Sequence, residues 1–167
     1  MKVYNVIFPI WMLLFFPPVI FIALAGNFVI DSLVIIACFF LFKLTNQGLG
    51  LKTFYKKSIL KVWLFGFLAD IIGAVFLFLV LIVGSGLGLP YEIEAGIAYD
   101  PFSSPMAVVI IIISMVITSF FIFLFNYHFT FRSLIVEKAL RIKVALTIAI
   151  ITTPWTFLLP TKWFYNF

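Results

Sequence analysis

Residues 60–84 of the chain read LKVWLFGFLADIIGAVFLFLVLIVG, and this stretch decides the fold. It contains one basic residue, Lys61, and one acidic residue, Asp70, among otherwise apolar or small side chains. About 20 such residues are enough for a helix to cross the hydrocarbon core of a bilayer, because each residue adds about 1.5 Å. The stretch therefore predicts a membrane-spanning helix.

The composition of the whole chain agrees with this prediction. Of the 167 residues, 65% are apolar and 10% are charged, whereas a soluble domain is roughly 45–50% apolar and about 25% charged. Such a composition excludes a soluble globule, a disordered chain and a nucleic-acid-binding domain. Cys38 is the single cysteine and His128 the single histidine, so we expect no intramolecular disulfide, no metal site and no cofactor.

Five hydrophobic stretches predict an all-α, polytopic membrane protein, a bundle of about five transmembrane helices that forms a single domain over residues 1–167. The predicted spans are residues 6–25, 27–42, 60–84, 106–127 and 144–159. Ala25-Gly26-Asn27 favours a tight turn between the first two spans. Pro9, Pro17 and Pro18 are expected to kink or break the first helix.

The distribution of charge predicts the orientation. Basic residues are concentrated around the loops 43–59 and 128–143, whereas the loop 85–105 contains none and carries Glu92 and Glu94. By the positive-inside rule, the two basic loops are cytoplasmic and the acidic loop is external. With five spans the N-terminus is then cytoplasmic. We expect a multi-pass protein of the cell membrane, most simply a bacterial inner membrane.

Two acidic residues, Asp31 and Asp70, lie within predicted spans. A charged side chain near the centre of a spanning helix costs about 2.5–3.5 kcal/mol on an insertion scale. No basic residue lies deep in any predicted span, so an internal ion pair is not expected. The two carboxyl groups should therefore face the interior of the bundle.

Hydroxyl side chains of the last two spans fall at about the same depth as these carboxyl groups. They are Ser114, Thr118, Thr152 and Thr153. Oxygen ligands suit a proton or a small hard cation, and two neighbouring carboxyl groups favour retention of a proton by one of them. The alternative is that these groups only form hydrogen bonds between helices.

Small residues share one stripe of the third predicted span. Gly66 and Gly73 flank Asp70 at helical spacing, and small side chains allow another helix to approach closely. Together with Glu92 and Glu94 of the acidic loop, these glycines are the predicted partner contacts.

The first basic loop mixes lysines with aromatic residues. Lys52, Lys56 and Lys57 are expected either to attract anionic lipid at the bilayer surface or simply to set the orientation.

Asn126-Tyr127-His128-Phe129-Thr130-Phe131-Arg132 resembles the Asn-x-x-aromatic-x-Phe-Arg ending found in the GtrA-like family of small flippase-associated membrane proteins. That family typically has four spans and repeats the motif after its second span. Here the second predicted span ends in Leu41-Phe42-Lys43, which lacks the motif. The resemblance covers about a twentieth of the chain, and no site residue or activity is carried over from it.

Two functional hypotheses follow. The first is a small transport or channel component in which Asp31 and Asp70 line a polar site for a proton or small cation. The second is a non-catalytic membrane partner, such as an assembly subunit, a scaffold or an immunity-type protein. Either hypothesis implies a homo-oligomer or a larger membrane-protein partner within the lipid bilayer.

An enzyme is the least favoured class, and no catalytic residue is predicted. Neither aspartate within the spans has the Tyr-Asp or Gly-x-Gly-Asp setting of intramembrane aspartyl proteases. The chain also contains no glycine-rich phosphate loop and no credible Ser-His-acid set.

Overall fold

The computed structural model describes residues 8–13 and 15–163, and the regular secondary structure in these residues is entirely helical. The α-helices are α1 (Ile10–Leu13), α2 (Val19–Leu41), α3 (Leu51–Gly86), α4 (Tyr91–Ala98), α5 (Pro105–Phe125) and α6 (Lys138–Ile151). The shorter elements are 3₁₀ turns at Leu44–Gln47, Pro101–Ser103, Trp155–Leu158 and Thr161–Trp163, and a π turn at Asn126–Thr130. The predicted all-α class is confirmed for this part of the chain.

Four helices in the described residues are long and apolar enough to cross a membrane. They are Val19–Leu41, Leu51–Gly86, Pro105–Thr130 and Lys138–Leu158. Large apolar side chains such as Leu33, Leu64 and Val116 are exposed on their outer surfaces, which suits contact with lipid. The chain is thus a multi-pass membrane protein, and the predicted count of five spans is not confirmed.

The difference in the number of spans arises at the start of the chain. α2 is an unbroken helix through Gly26 and Asn27, so the predicted turn between the spans 6–25 and 27–42 is wrong. The break lies instead at Pro17-Pro18, which precedes α2, because proline has no N–H and its ring obstructs the preceding helical turn. Residues 6, 7 and 14 of the first predicted span lie outside the described residues.

α1 lies at the end of the bundle that carries the acidic helix α4. The Trp11 indole Nε1 donates a hydrogen bond to the Ile97 carbonyl at 3.0 Å, and the Ile10 backbone N–H donates to the Thr161 hydroxyl at 2.8 Å. The basic starts of α3 and α6 are at the opposite end, because α3 leads from them to α4. The predicted position of the N-terminus beside the basic loops is therefore not confirmed.

α3 is the central helix of the bundle. It packs against α2 on one side and α5 on the other, and α6 closes the bundle against α2 and α5. A buried cluster near the basic end includes Ile35, Phe54, Phe131 and Val144. A second buried cluster near the acidic end includes Trp11, Leu77, Ile111 and Phe157.

The predicted loops are more ordered than the sequence indicated. The acidic loop contains α4, and Glu92 and Glu94 lie in its first turn, where negative charge is favourable beside the helix N-terminus. At the basic end α3 begins at Leu51. Three of the four lysines of the first basic loop therefore lie on turns of α3, and their side chains are exposed: Lys52, Lys56 and Lys57.

Candidate functional site

A cavity of about 400 Å³ lies between α2, α3 and the C-terminal end of α6. Its wall contains four of the six residues predicted to bind an ion: Asp31, Asp70, Thr152 and Thr153. Its other lining residues are Phe15, Val19, Ile22, Ala23, Gly26, Asn27, Ile30, Gly66, Phe67, Ile151, Pro154, Trp155 and Thr156. No Lys or Arg of the described residues lines it, so the cavity wall is acidic, hydroxylic and otherwise mainly apolar.

Asp31 is placed on the inner face of α2. It is 5% exposed and lies ten residues before Leu41, or about 15 Å from the end of the helix at the usual rise. Its Oδ2 atom lies 3.9 Å from the position that a Cβ atom on Gly66 would occupy. The small residue on α3 thus leaves open space directly beside this carboxyl group.

Asp70 lies one helical turn after Gly66 on the same face of α3. Its Oδ1 atom is buried and has no hydrogen-bond partner among the described residues. A buried polar atom without a partner is uncommon and costs free energy, so such an atom calls for an explanation. Because Oδ1 has almost no accessible surface, a proton on this carboxyl group, or a turn of the side chain toward a ligand in the cavity, supplies one.

Neither carboxyl group of the cavity has a basic partner. In residues 8–13 and 15–163 the single ion pair joins Lys162 to Asp100, and it lies at the acidic end of the bundle. The absence of an internal ion pair in these residues agrees with the expectation from the sequence. A negative charge on Asp31 or Asp70 would therefore lack compensation from these side chains.

The end of α6 presents oxygen atoms to the cavity. The Thr152 hydroxyl donates to the Ile148 carbonyl at 2.9 Å, and the Thr153 hydroxyl donates to the Ala149 carbonyl at 2.8 Å. Because these bonds use the hydroxyl protons, both threonine oxygens can only accept: the Thr153 oxygen accepts from the Ser119 hydroxyl of α5 at 2.7 Å, whereas the Thr152 oxygen has no further partner among the described residues. Pro154 has no N–H, so the Ile150 carbonyl also lacks its normal helical donor.

Ser114 and Thr118 do not line the cavity. Both are fully buried between α3 and α5, where the Ser114 hydroxyl donates to the Gly73 carbonyl at 2.8 Å and the Thr118 hydroxyl has no partner in the described residues. They contact α3 at Gly73, on a different face of that helix from the cavity.

The four predicted partner contacts are also separated. Gly73 is buried by this chain's own α5, since a Cβ atom there would overlap the Thr118 hydroxyl. The close approach at Gly73 is thus made within the chain rather than with a partner. Gly66 faces the cavity, Glu92 is exposed, and Glu94 is half-buried.

Sequence reasoning missed several residues of the cavity wall. Asn27 lies one turn before Asp31 on α2; its spacing places it on the same helix face as Asp31, but it is not among the predicted site residues. Phe67 and Trp155 gave no distinct signal, because aromatic residues make up 20% of the chain.

The donor set is one of oxygen atoms. The described residues contain no cluster of three or more His, Cys, Asp or Glu side chains that would hold a metal ion. Two carboxyl groups and threonine oxygens instead suit a proton or a cation of low charge.

Comparison with protein-family models, curated proteins and solved structures finds no match to this chain. The similarity of residues 126–132 to the GtrA-like ending is thus a local resemblance.

Proposed function

We propose that this protein is a small transport or channel component in which Asp31 and Asp70 form an intramembrane site for a proton or a small cation. The supporting observation is that both carboxyl groups line one cavity between candidate spanning helices, without a basic partner among the described residues. An uncompensated carboxylate in apolar surroundings is costly. Binding of a proton or a cation removes that cost, so the site favours positively charged ligands.

The neighbouring oxygen atoms support the same ligand class. The Thr152 hydroxyl donates its proton to a helix carbonyl and its oxygen has no further partner in the described residues; the Thr153 oxygen also lines the cavity but already accepts from Ser119. An oxygen such as that of Thr152 acts as an acceptor or as a cation ligand, and hard cations bind oxygen in preference to nitrogen or sulfur.

The proposed location is a bacterial cytoplasmic membrane, with the basic ends of α3 and α6 inside. The positive-inside rule gives this orientation, and α1 and α4 then lie at the external end. Lys52, Lys56 and Lys57 are exposed on the first turns of α3. At the cytoplasmic surface of the membrane we propose that these lysines attract anionic headgroups, and each basic residue near the surface contributes about 1 kcal/mol to that attraction.

We also propose that the functional unit contains more than one chain. Four candidate spans are little material with which to enclose a pathway across a bilayer, so a homo-oligomer or a larger membrane partner completes it.

A flux measurement tests the proposal. Wild-type protein and the variants Asp31→Asn and Asp70→Asn are reconstituted in liposomes that contain a pH-sensitive dye, and gradients of protons or alkali cations are imposed. We expect flux in the wild type and a fall of at least about tenfold in each variant, because removal of a buried charge partner costs more than 1.4 kcal/mol. Glu137→Gln changes an exposed acidic residue outside the cavity; it is the matched control and should keep the wild-type flux.

Two outcomes of the flux measurement would contradict the proposal. If the wild type carries no proton or cation flux, or if both aspartate variants fold and carry the wild-type flux, the proposal is wrong. Size-exclusion profiles and unfolding curves that match the wild type show that the variants are folded.

The second candidate function is a non-catalytic membrane partner, and the exposed surface of the acidic end favours it. Tyr91, the residue before Glu92, and Phe102 are 77% and 65% exposed, and aromatic residues are enriched at protein interfaces. Purification in mild detergent tests it: a second membrane protein that co-purifies with the wild type and is lost with Tyr91→Ala supports this function. Purification of the chain alone contradicts it.

A further inference from the structure

The size of the cavity limits what it holds. A bare Ca²⁺-like cation is surrounded by six to eight oxygen atoms at about 2.3–2.6 Å, which requires a compact shell. The cavity here is about 400 Å³, within the range of about 300–1,000 Å³ that is typical of sites for organic molecules. Its volume therefore matches a ligand larger than a single ion.

The apolar part of the wall contains three aromatic residues. The rings of Phe15 and Phe67 lie with their centroids 5.7 Å apart and an interplanar angle of 53°. Trp155, in the turn that follows α6, also lines the cavity and is 60% exposed. Aromatic faces attract organic cations through their quadrupoles, and they also bury apolar groups.

The charged part of the wall is acidic. Asp31 is 95% buried, Asp70 Oδ1 has no hydrogen-bond partner in the described residues, and no described basic residue lines the cavity. Few polar groups in a largely apolar pocket are typical of a site that orients a small molecule. Here those groups select for positive charge.

We propose that the cavity binds an amphipathic organic cation, such as a quaternary ammonium or a protonated hydrophobic amine, with its charged group beside Asp31 and Asp70. Its apolar groups lie against Phe67 and Trp155. This inference rests on the proposed function and specifies that the cation bound at this site is an organic one.

The cavity also borders a surface of α2 that faces the bilayer. Ile22 lines the cavity and is 72% exposed. An amphipathic cation dissolved in the membrane therefore reaches the carboxyl groups from the lipid side, without crossing the basic end of the bundle.

Proton exchange follows from the same geometry. Asp31 on α2 and Asp70 on α3 are the titratable groups of the described wall, since α6, the turn Trp155–Leu158 and the segment before α2 contribute none. A quaternary ammonium has no exchangeable proton. When it binds beside a protonated carboxyl group, the carboxyl proton is released to solvent, so that one positive charge replaces another. Because binding releases a proton, the affinity for the ammonium falls as the pH falls.

The test uses the full chain in lipid nanodiscs and two probes of matched shape. Benzyltrimethylammonium carries the charge, and neopentylbenzene is its uncharged carbon isostere. We expect saturable binding of the ammonium. Its affinity should be at least about tenfold weaker at acidic pH than at alkaline pH, and at least about tenfold weaker in Asp31→Asn or Asp70→Asn than in the wild type. Phe67→Leu should weaken it by about two- to fivefold through loss of the cation–π contact, and Glu137→Gln, at an exposed acidic residue outside the cavity, should not change it.

The outcomes separate the two proposals. If the isostere binds as tightly as the ammonium, or if binding is independent of both pH and the aspartates, the cavity is an apolar or lipid site and the inference is overturned. If alkali cations or protons exchange in an aspartate-dependent way but the ammonium does not bind, the inference fails and the proposed function stands. If no cation or proton exchange depends on Asp31 or Asp70, both fail.

Discussion

Alanine in place of Gly73 adds a methyl group at the closest approach of α3 and α5. The added Cβ overlaps the Thr118 hydroxyl and lies 3.2 Å from both Phe157 Cε2 and Ser114 Oγ. Thr118 is β-branched and fully buried, so it has little freedom to rotate away. The helices must therefore move apart or the side chains must leave their preferred rotamers.

The expected change in the free energy of unfolding combines two destabilising contributions with one stabilising contribution. Overpacking of a tight interior costs about 1–3 kcal/mol, and loss of the Ser114 hydrogen bond to the Gly73 carbonyl adds about 0.6 kcal/mol in a membrane protein. Replacement of glycine by alanine in a helix returns up to about 1 kcal/mol. We expect Gly73→Ala to lower the free energy of unfolding by about 1–2 kcal/mol.

The assay is unfolding by sodium dodecyl sulfate in mixed micelles, followed by circular dichroism. Gly26→Ala is the matched control, because nothing lies within 4 Å of a Cβ atom there, and it should leave stability unchanged or raise it by up to about 1 kcal/mol. Thr118→Ala in the Gly73→Ala background removes the overlapping hydroxyl and should restore part of the loss. Equal stabilities of Gly73→Ala and Gly26→Ala, or a double variant that shows no coupling, would refute the packing described for α3 and α5.

Two further predictions concern the ends of the bundle. Trp11→Phe keeps an aromatic ring but loses the hydrogen bond to the Ile97 carbonyl; it should weaken the docking of α1 by about 0.5–1.5 kcal/mol and speed proteolysis before α2, whereas an unchanged cleavage rate would contradict this contact. In intact vesicles of a Cys38→Ala background, a membrane-impermeant maleimide should label Glu92→Cys and Lys56→Cys from opposite sides of the membrane, and labelling from the same side would contradict the spanning of α3.

The sequence predicted the spans that are continuous apolar runs. The spans 60–84 and 106–127 correspond to α3 and α5, and 144–159 corresponds to α6 with the turn Trp155–Leu158. α2 was divided because Gly26-Asn27 is a turn signal in water. In a bilayer no water is available to the backbone, so the chain keeps its internal hydrogen bonds and the helix continues through these residues.

The sequence predicts how far along its helix each site residue lies, but it does not predict which way the side chain faces around the helix axis. Acidic residues in apolar runs identified Asp31 and Asp70, and the helical rise placed Thr152 and Thr153 at their level. The same reasoning also selected Thr118, which instead faces α5. Rotation about each helix axis depends on side-chain packing between helices, and a single sequence with small residues on several faces does not determine it.

Infrared difference spectroscopy of the reconstituted protein tests most directly whether Asp31 and Asp70 exchange protons for cations. The protonated carboxyl group has a C=O stretching band that is lost on ionisation. On addition of an alkali salt or of benzyltrimethylammonium, we predict loss of this band in the wild type and no such loss in the Asp31→Asn/Asp70→Asn double variant. A wild-type spectrum without any carboxyl change on addition of either cation, or the same change in the double variant, would contradict the proposed site.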